Sequence, residues 1–215
     1  MSQTPQIPLN QSAMRHVVII LATLCLSGCG ALLSPGPPPS RLQLSPPMPG
    51  KAVEAPLNRQ LIVATPVAGR DIDSDSIALV FNGREVRILA DARWAGTVPQ
   101  MIQRNVITAF EEAGVLRGVG DESAGMAADA RLLSDIRQFS LHYAEEGGVP
   151  TAVFEGTFRL LSLSSGKIIG THTVSVRTLA GGKDKAALVR AMETALGRGL
   201  AEIVPWATEK MRQLR

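Results

Sequence analysis

Cysteine is nearly absent from this chain. Only Cys25 and Cys29 occur in 215 residues, too few for a zinc site built from several thiolates. Aromatic residues are scarce as well, at 4%, and the 22 basic and 19 acidic residues are spread along the chain without a basic stripe. Both features argue against nucleic acid as a partner. Histidine occurs three times. His142 and His172, the two outside the N-terminal region, lack the spacing and the further ligand of a metal centre. There is no Gly-x-Ser-x-Gly elbow and no clear serine triad. Gly118-Val119-Gly120 lacks the third glycine of a dinucleotide site, and Gly166-Lys167 lacks the upstream glycine of a phosphate loop. Asp71, Asp73 and Asp75 have the spacing of a calcium loop without its glycine or its distant glutamate, so they are read as a solvated turn. No cofactor and no metal are expected.

What is present begins with residues 17–26, Val-Val-Ile-Ile-Leu-Ala-Thr-Leu-Cys-Leu, preceded by Arg15 and His16. The run is shorter than the roughly 20 residues a membrane-spanning helix needs. Its length and flanks are those of a secretory signal peptide. Met14 before Arg15 would make an ordinary start, leaving residues 1–13 outside the signal. The run ends in Leu26-Ser27-Gly28-Cys29, which resembles the lipobox of bacterial lipoproteins. Small side chains let the extended backbone enter a peptidase groove, and the cysteine thiol takes the lipid. Cleavage is therefore expected between Gly28 and Cys29, with Cys29 lipidated and the signal peptide spanning residues 1–28. Cys25 leaves with the signal, so the mature chain has no intramolecular disulfide despite an oxidising destination. Gly30 is not the aspartate that retains lipoproteins at the inner membrane in enterobacterial-type sorting. The expected location is thus the periplasmic face of the outer membrane rather than the inner.

Residues 29–58 carry eight prolines between Pro35 and Pro56. Proline fixes φ and lacks a donor, so this stretch is read as a semi-rigid spacer with roughly 3 Å of reach per residue. Within it, Arg41-Leu42-Gln43-Leu44 is read as solvated linker in preference to a short edge strand. The folded domain is expected over residues 59–215.

Strand signals start at Leu61-Ile62-Val63-Ala64. Ile77, Leu79 and Phe81 then alternate up to Asn82-Gly83, a dipeptide suited to the positive φ values of a type I′ turn. A two-residue turn would pair Phe81 with Arg84, Leu79 with Val86 and Ile77 with Ile88. A helix follows, with Thr97 as N-cap, Gln100 completing a capping box, Pro99 in the first turn and Gly114 as the stop. Its apolar stripe includes Val98, Met101, Ile102, Val106, Ala109, Phe110 and Ala113. Residues 115–130 are read as a loop. Residues 131–143 alternate with one break between Ile136 and Phe139, which a bulge would repair. Residues 152–160 and 168–176 are partner strands about a turn at Ser164-Ser165-Gly166-Lys167. A second helix, capped by Asp184, buries Leu188, Met192, Ala195, Leu196, Gly199 and Ile203, and Pro205 should kink or restart it. The sum is a single α+β domain: an antiparallel sheet of about five to seven strands with two main helices packed on it.

Asp71-Ile72-Asp73-Ser74-Asp75-Ser76-Ile77-Ala78, the hairpin, and Asp91-Ala92-Arg93-Trp94-Ala95 entering a helix resemble the ABC-type transport auxiliary lipoprotein family, over roughly residues 40–213. Members often carry a Tyr-Tyr-x-Leu segment after the linker, whereas this chain has Arg41-Leu42-Gln43-Leu44. The resemblance implies a periplasmic lipoprotein that works with a mammalian-cell-entry domain protein, an ABC permease and an ATPase, moving lipids between membranes. The chain has no phosphate loop to be the ATPase and no mature spanning helix to be the permease. An outer-membrane or cell-wall assembly lipoprotein with another protein partner is the alternative. A periplasmic enzyme is the weakest reading, for want of a catalytic constellation. Trp94 is read as a packing anchor in preference to a partner contact, and His172 as a core histidine. The oligomeric state is left open, a homo-oligomer included.

Overall fold

A computed structural model describes residues 38–51 and 55–214. Cys25, Gly28, Cys29 and the rest of the expected signal peptide lie outside the described residues. Among the described residues nine strands and two α-helices occur in chain order: β1 Ser40–Leu42, β2 Leu57–Val63, β3 Val67–Ala68, β4 Ser76–Phe81, β5 Glu85–Trp94, α1 Val98–Ala113, β6 Leu116–Gly120, β7 Ala130–Tyr143, β8 Thr151–Ser162, β9 Ile168–Leu179 and α2 Lys185–Arg212.

The 14-residue β7 organises the sheet. On one side it forms an antiparallel meander with β8 and then β9. On its other side β2, β3 and β4 follow one another along its length, all parallel to it. Strand β6 extends the sheet beyond β2 in parallel, while β5 extends it beyond β4 in antiparallel and carries β1 in parallel. The α+β class and the two helices agree with the sequence. The sheet, however, is mixed, with five parallel pairings. Between β2 and β6 the chain builds a hairpin and then crosses through α1, and such a crossover returns a strand parallel to the first. Alternation of side chains does not reveal that path.

Local chemistry explains most elements. Gly114 ends α1 in the left-handed region at φ 63°, its N–H reaching the carbonyls of Phe110 and Glu111. Asp184 caps α2 by accepting the Ala187 N–H at 3.0 Å. The break in β7 is a bulge at Arg137, because the pairing shifts between Ile136 and Gln138, and it puts Ile136, Phe139 and Leu141 on one buried face. Three of the four largest fully buried side chains, Trp94, Phe154 and Phe158, belong to a row of rings through Phe139 with centroids 6.0 to 6.4 Å apart. Both helices cover this inner face.

Six expectations need correction. Asn82 and Gly83 do adopt positive φ, 50° and 67°, but Arg84 is an extra residue and Phe81 pairs with Glu85. The one-residue slip turns Val86 and Ile88 outward, each about half exposed. Residues 116–120 form a strand because β2 offers a parallel edge. Thr97 stands at the N-cap without a side-chain bond, so the capping box with the exposed Gln100 does not form. Helix α2 runs through Pro205 unbroken. Ala201 and Pro205 are both exposed, so water can satisfy the carbonyl that loses its donor. Finally, residues 40–48 are not a free spacer but are docked, with Leu44 and Pro46 turned in and Arg41, Gln43, Ser45 and Pro47 exposed. β1 pairs with β5, Leu44 is 5% exposed and Pro46 is buried. The folded body therefore starts near Ser40, not at residue 59, and this segment is a strap laid across it.

Close packing of α2 on the sheet depends on Gly199. A Cβ there would stand 2.5 Å from Phe154 Cε1 and 3.1 Å from Val174 Cγ1, inside van der Waals contact. Gly199→Ala is expected to destabilise the domain by about 1–3 kcal/mol through overpacking. A urea midpoint equal to that of the parent would show that the helix can lift without penalty.

Candidate functional site

The residues that carry the family resemblance converge on one structural joint. In the acidic turn the amides of Ile72 and Asp73 bond to the Gly69 carbonyl. The carbonyls that follow are aimed elsewhere. Asp75 accepts the Trp94 N–H at 2.7 Å, and Ser74 accepts the Val98 N–H at 3.0 Å, satisfying one of the unpaired amides that open α1. Arg93 donates to Ser76 Oγ at 2.8 Å. The strap completes the joint: Leu42 accepts the Ala95 N–H at 2.7 Å, and Arg41 lies 3.6 Å from Asp75. Turn, strand-to-helix junction and strap are thus locked together by backbone bonds. Trp94 is fully buried at this joint and packs 6.2 Å from Phe139, so its ring is a packing anchor and not a surface contact.

From the joint the strap crosses the helices. Ser45 N–H reaches Glu193 Oε1 at 3.0 Å, and Met48 packs against the core. Pro47 rests on Gly197, where a Cβ would stand 2.7 Å from its carbonyl oxygen. A groove lies on either side of the strap. One, of about 500 Å³, is walled by Leu44, Pro46 and Met48 against Arg104, Asn105 and Thr108 of α1. The other, of about 610 Å³, runs along Ala201, Val204, Pro205 and Thr208 of α2, with Ala113 and Val115 opposite and Glu209 and Arg212 at its rim. Small and apolar side chains keep this second groove open. Neither groove is legible in the sequence, because each is walled in part by the docked strap.

Among the described residues no helix lies over the opposite face of the sheet. Pairing registers place Leu179, Thr151, His142, Val80 and Val86 in one row across five strands. His142 therefore faces outward and His172, paired with Phe158, faces inward. The two histidines cannot act together. His172 stacks on Trp206 at 5.3 Å and lies 3.5 Å from Glu202, at the margin of the core instead of deep within it. His142 Nε2 is 3.0 Å from Ser140 Oγ, a contact between residues two apart on one strand. Burial and then the Arg177 guanidinium hold the His142 imidazole below its ordinary value, against a smaller opposing effect of Glu155. Such a ring is harder to protonate than a free imidazole. Among the described residues no group of three or more His, Cys, Asp or Glu could hold a metal ion. Gly118–Gly120 is strand β6, and Gly166, at φ 66°, makes the β8–β9 turn.

Comparison with known proteins decides the family. The model of the ABC-type transport auxiliary lipoprotein component matches residues 42–204, from the strap through most of α2. The chain belongs to that family. A solved structure from Xanthomonas campestris is 28% identical, with a TM-score of 0.74 over 81% of this chain and 98% of the other. A further solved structure, of an uncharacterized protein, shares the fold at 17% identity with a TM-score of 0.62, covering 80% of this chain and 99% of the other. An uncharacterized protein of Bradyrhizobium diazoefficiens is 29% identical over 117 residues, which is 54% of this chain and 31% of that protein. The chain thus spans about a third of that relative's length. Membership brings the character of an auxiliary lipoprotein, membrane-anchored and facing the periplasm.

Two outcomes follow for the strap and the open face. Gly197→Ala is expected to displace the strap, raising tryptic cleavage after Arg41 and Lys51 several-fold while circular dichroism is unchanged. Cleavage at the parental rate would mean that the strap tolerates the added methyl. For His142 the depressed value means the unfolded chain binds more protons, so stability is full above pH 6.5 and falls as pH drops through it. His142→Gln should flatten the acid side of the melting-temperature profile; identical slopes in the two proteins would contradict burial of the ring as the cause.

Proposed function

We propose that this protein is a non-catalytic lipoprotein subunit of an ABC-type lipid transport system, binding a mammalian-cell-entry domain protein that works with a permease and an ATPase. One observation carries the reading: the family match and the folded body, strap included, cover nearly the same residues. The subunit is anchored through lipid on Cys29, exposed by cleavage after Gly28, and faces the periplasm from the outer membrane, since Gly30 offers no retention signal. Its histidines lie on opposite faces of the sheet, and the acidic turn commits backbone carbonyls to Trp94 and Val98. Both features support a binding role over a catalytic one. The grooves beside the strap and the open sheet face offer surface for partners.

The test is an affinity pull-down of the lipidated protein from membranes, read by mass spectrometry. Recovery of a mammalian-cell-entry protein together with permease and ATPase is the expected outcome. Recovery of cell-wall or outer-membrane assembly factors alone would reassign the function to assembly.

A further inference from the structure

Strand β1 fixes the direction from which the chain enters the domain. It pairs in parallel with β5, Ser40 level with Ala92 and Leu42 with Trp94. The residues before Ser40 therefore arrive from the side of the β4–β5 hairpin. From the level of Ala92 back to Glu85, where the hairpin turns, is about 24 Å. Whatever its path, the chain from Ser40 to Cys29 spans at most about 40 Å. An anchor on Cys29 thus lies no more than about 16 Å beyond the hairpin end of the sheet along that direction. The β8–β9 turn lies at the other end. Apolar surface is concentrated at the hairpin end. Among the described residues seven large apolar side chains are exposed, and four of them stand here: Val86, Ile88, Val149 and Leu179. Val86 and Ile88 lie beside Val80 and Ala78 on the outer face, where no described helix covers them. Exposed apolar side chains gathered in this way mark a contact with another surface.

The charges at this end suit a lipid surface. Arg87 holds Glu85 at 2.7 Å and Glu146 at 2.9 Å, and Asp184 is committed to the cap of α2. Arg84 and Lys183 are both exposed and have no ion pair among the described residues, against the exposed Glu145. We propose that the hairpin end of the sheet rests on the bilayer that carries the anchor, with Val86 and Ile88 entering its interfacial layer and Arg84 and Lys183 meeting lipid phosphates. Apolar side chains below and cations above are the arrangement by which a surface lies on a membrane without spanning it. The inference rests on lipidation of Cys29. A tether alone leaves a domain free to turn. This second contact gives it one orientation, with the β8–β9 turn pointing away from the membrane.

The experiment uses the full mature chain, its lipid on Cys29 checked by intact mass, in vesicles of phosphatidylcholine with phosphatidylglycerol. With Cys25 removed and Cys29 blocked by lipid, an introduced cysteine is the one free thiol. Ile88→Cys and, separately, Lys167→Cys in the exposed β8–β9 turn would each carry an environment-sensitive fluorophore. Nitroxide groups on the lipid chains should quench the Ile88→Cys probe several-fold more than the Lys167→Cys probe. Arg84→Glu should reduce that quenching, and more so with phosphatidylglycerol present than in phosphatidylcholine alone. Equal quenching at the two positions on a lipidated chain would overturn the inference and leave the anchor standing. A chain without lipid on Cys29 would overturn both. Shielding of the Ile88→Cys probe in native membranes but not in vesicles would assign the patch to a protein, and the inference would fall.

Discussion

Helix α2 is pressed from two sides at once, and it can be because two of its residues have no side chain. Gly199 lets the helix settle on Phe154 and Val174, and Gly197 receives Pro47 of the strap. Two residues apart on a helix means about 200° around its axis, so the glycines open on nearly opposite faces. One contact seats α2 on the meander of β7, β8 and β9; the other clamps the N-terminal segment over it. A helix-interior glycine costs about 1 kcal/mol relative to alanine, and here the close approach on each face offsets that cost. The grooves, the buried strap and the order of layers all follow from this pair.

The strap also explains what the family-specific residues do. Asp71–Ala78 and Asp91–Ala95 stand at the two ends of the β4–β5 hairpin and form two sides of the same joint, closed by Leu42 and Arg41. Their chemistry is the chemistry of backbone satisfaction: carbonyls of the turn meet amides of Trp94 and Val98, which would otherwise be buried or left open at a helix start. A motif of acidic residues thus turns out to be architectural. The absence of tyrosines in the strap does not prevent its docking, because Leu42 and Leu44 supply the apolar contact.

Features governed by local chemistry were legible in the sequence. Gly114 as a helix stop, Asp184 as a cap, the Asn82-Gly83 turn and the bulge near Arg137 each follow from the residue in place. What failed depended on distant partners. The hairpin turn was right in conformation, but Arg84 as an extra residue reversed the faces of β5, and nothing in the alternation of Val86 and Ile88 marks the slip. The parallel pairings needed the crossover through α1. Strand β6 needed the edge of β2. Eight prolines made residues 29–58 look like a spacer, and the docking of Pro47 depends on Gly197, some 150 positions away. The candidate site was legible only in part: Trp94 as packing anchor could be read, whereas the grooves could not.

The route by which the chain enters the domain has a mechanical side. Force applied to residue 39 from an anchor further upstream would first load β1, a parallel strand of three residues on β5, and then the contacts of Leu44, Pro46 and Pro47. The long meander of β7, β8 and β9 lies behind these in the load path. Three residue pairs give way long before a 12-residue ladder does, so the strap is built to peel while the core stays folded. Tension would then merge the two grooves that a docked strap keeps apart.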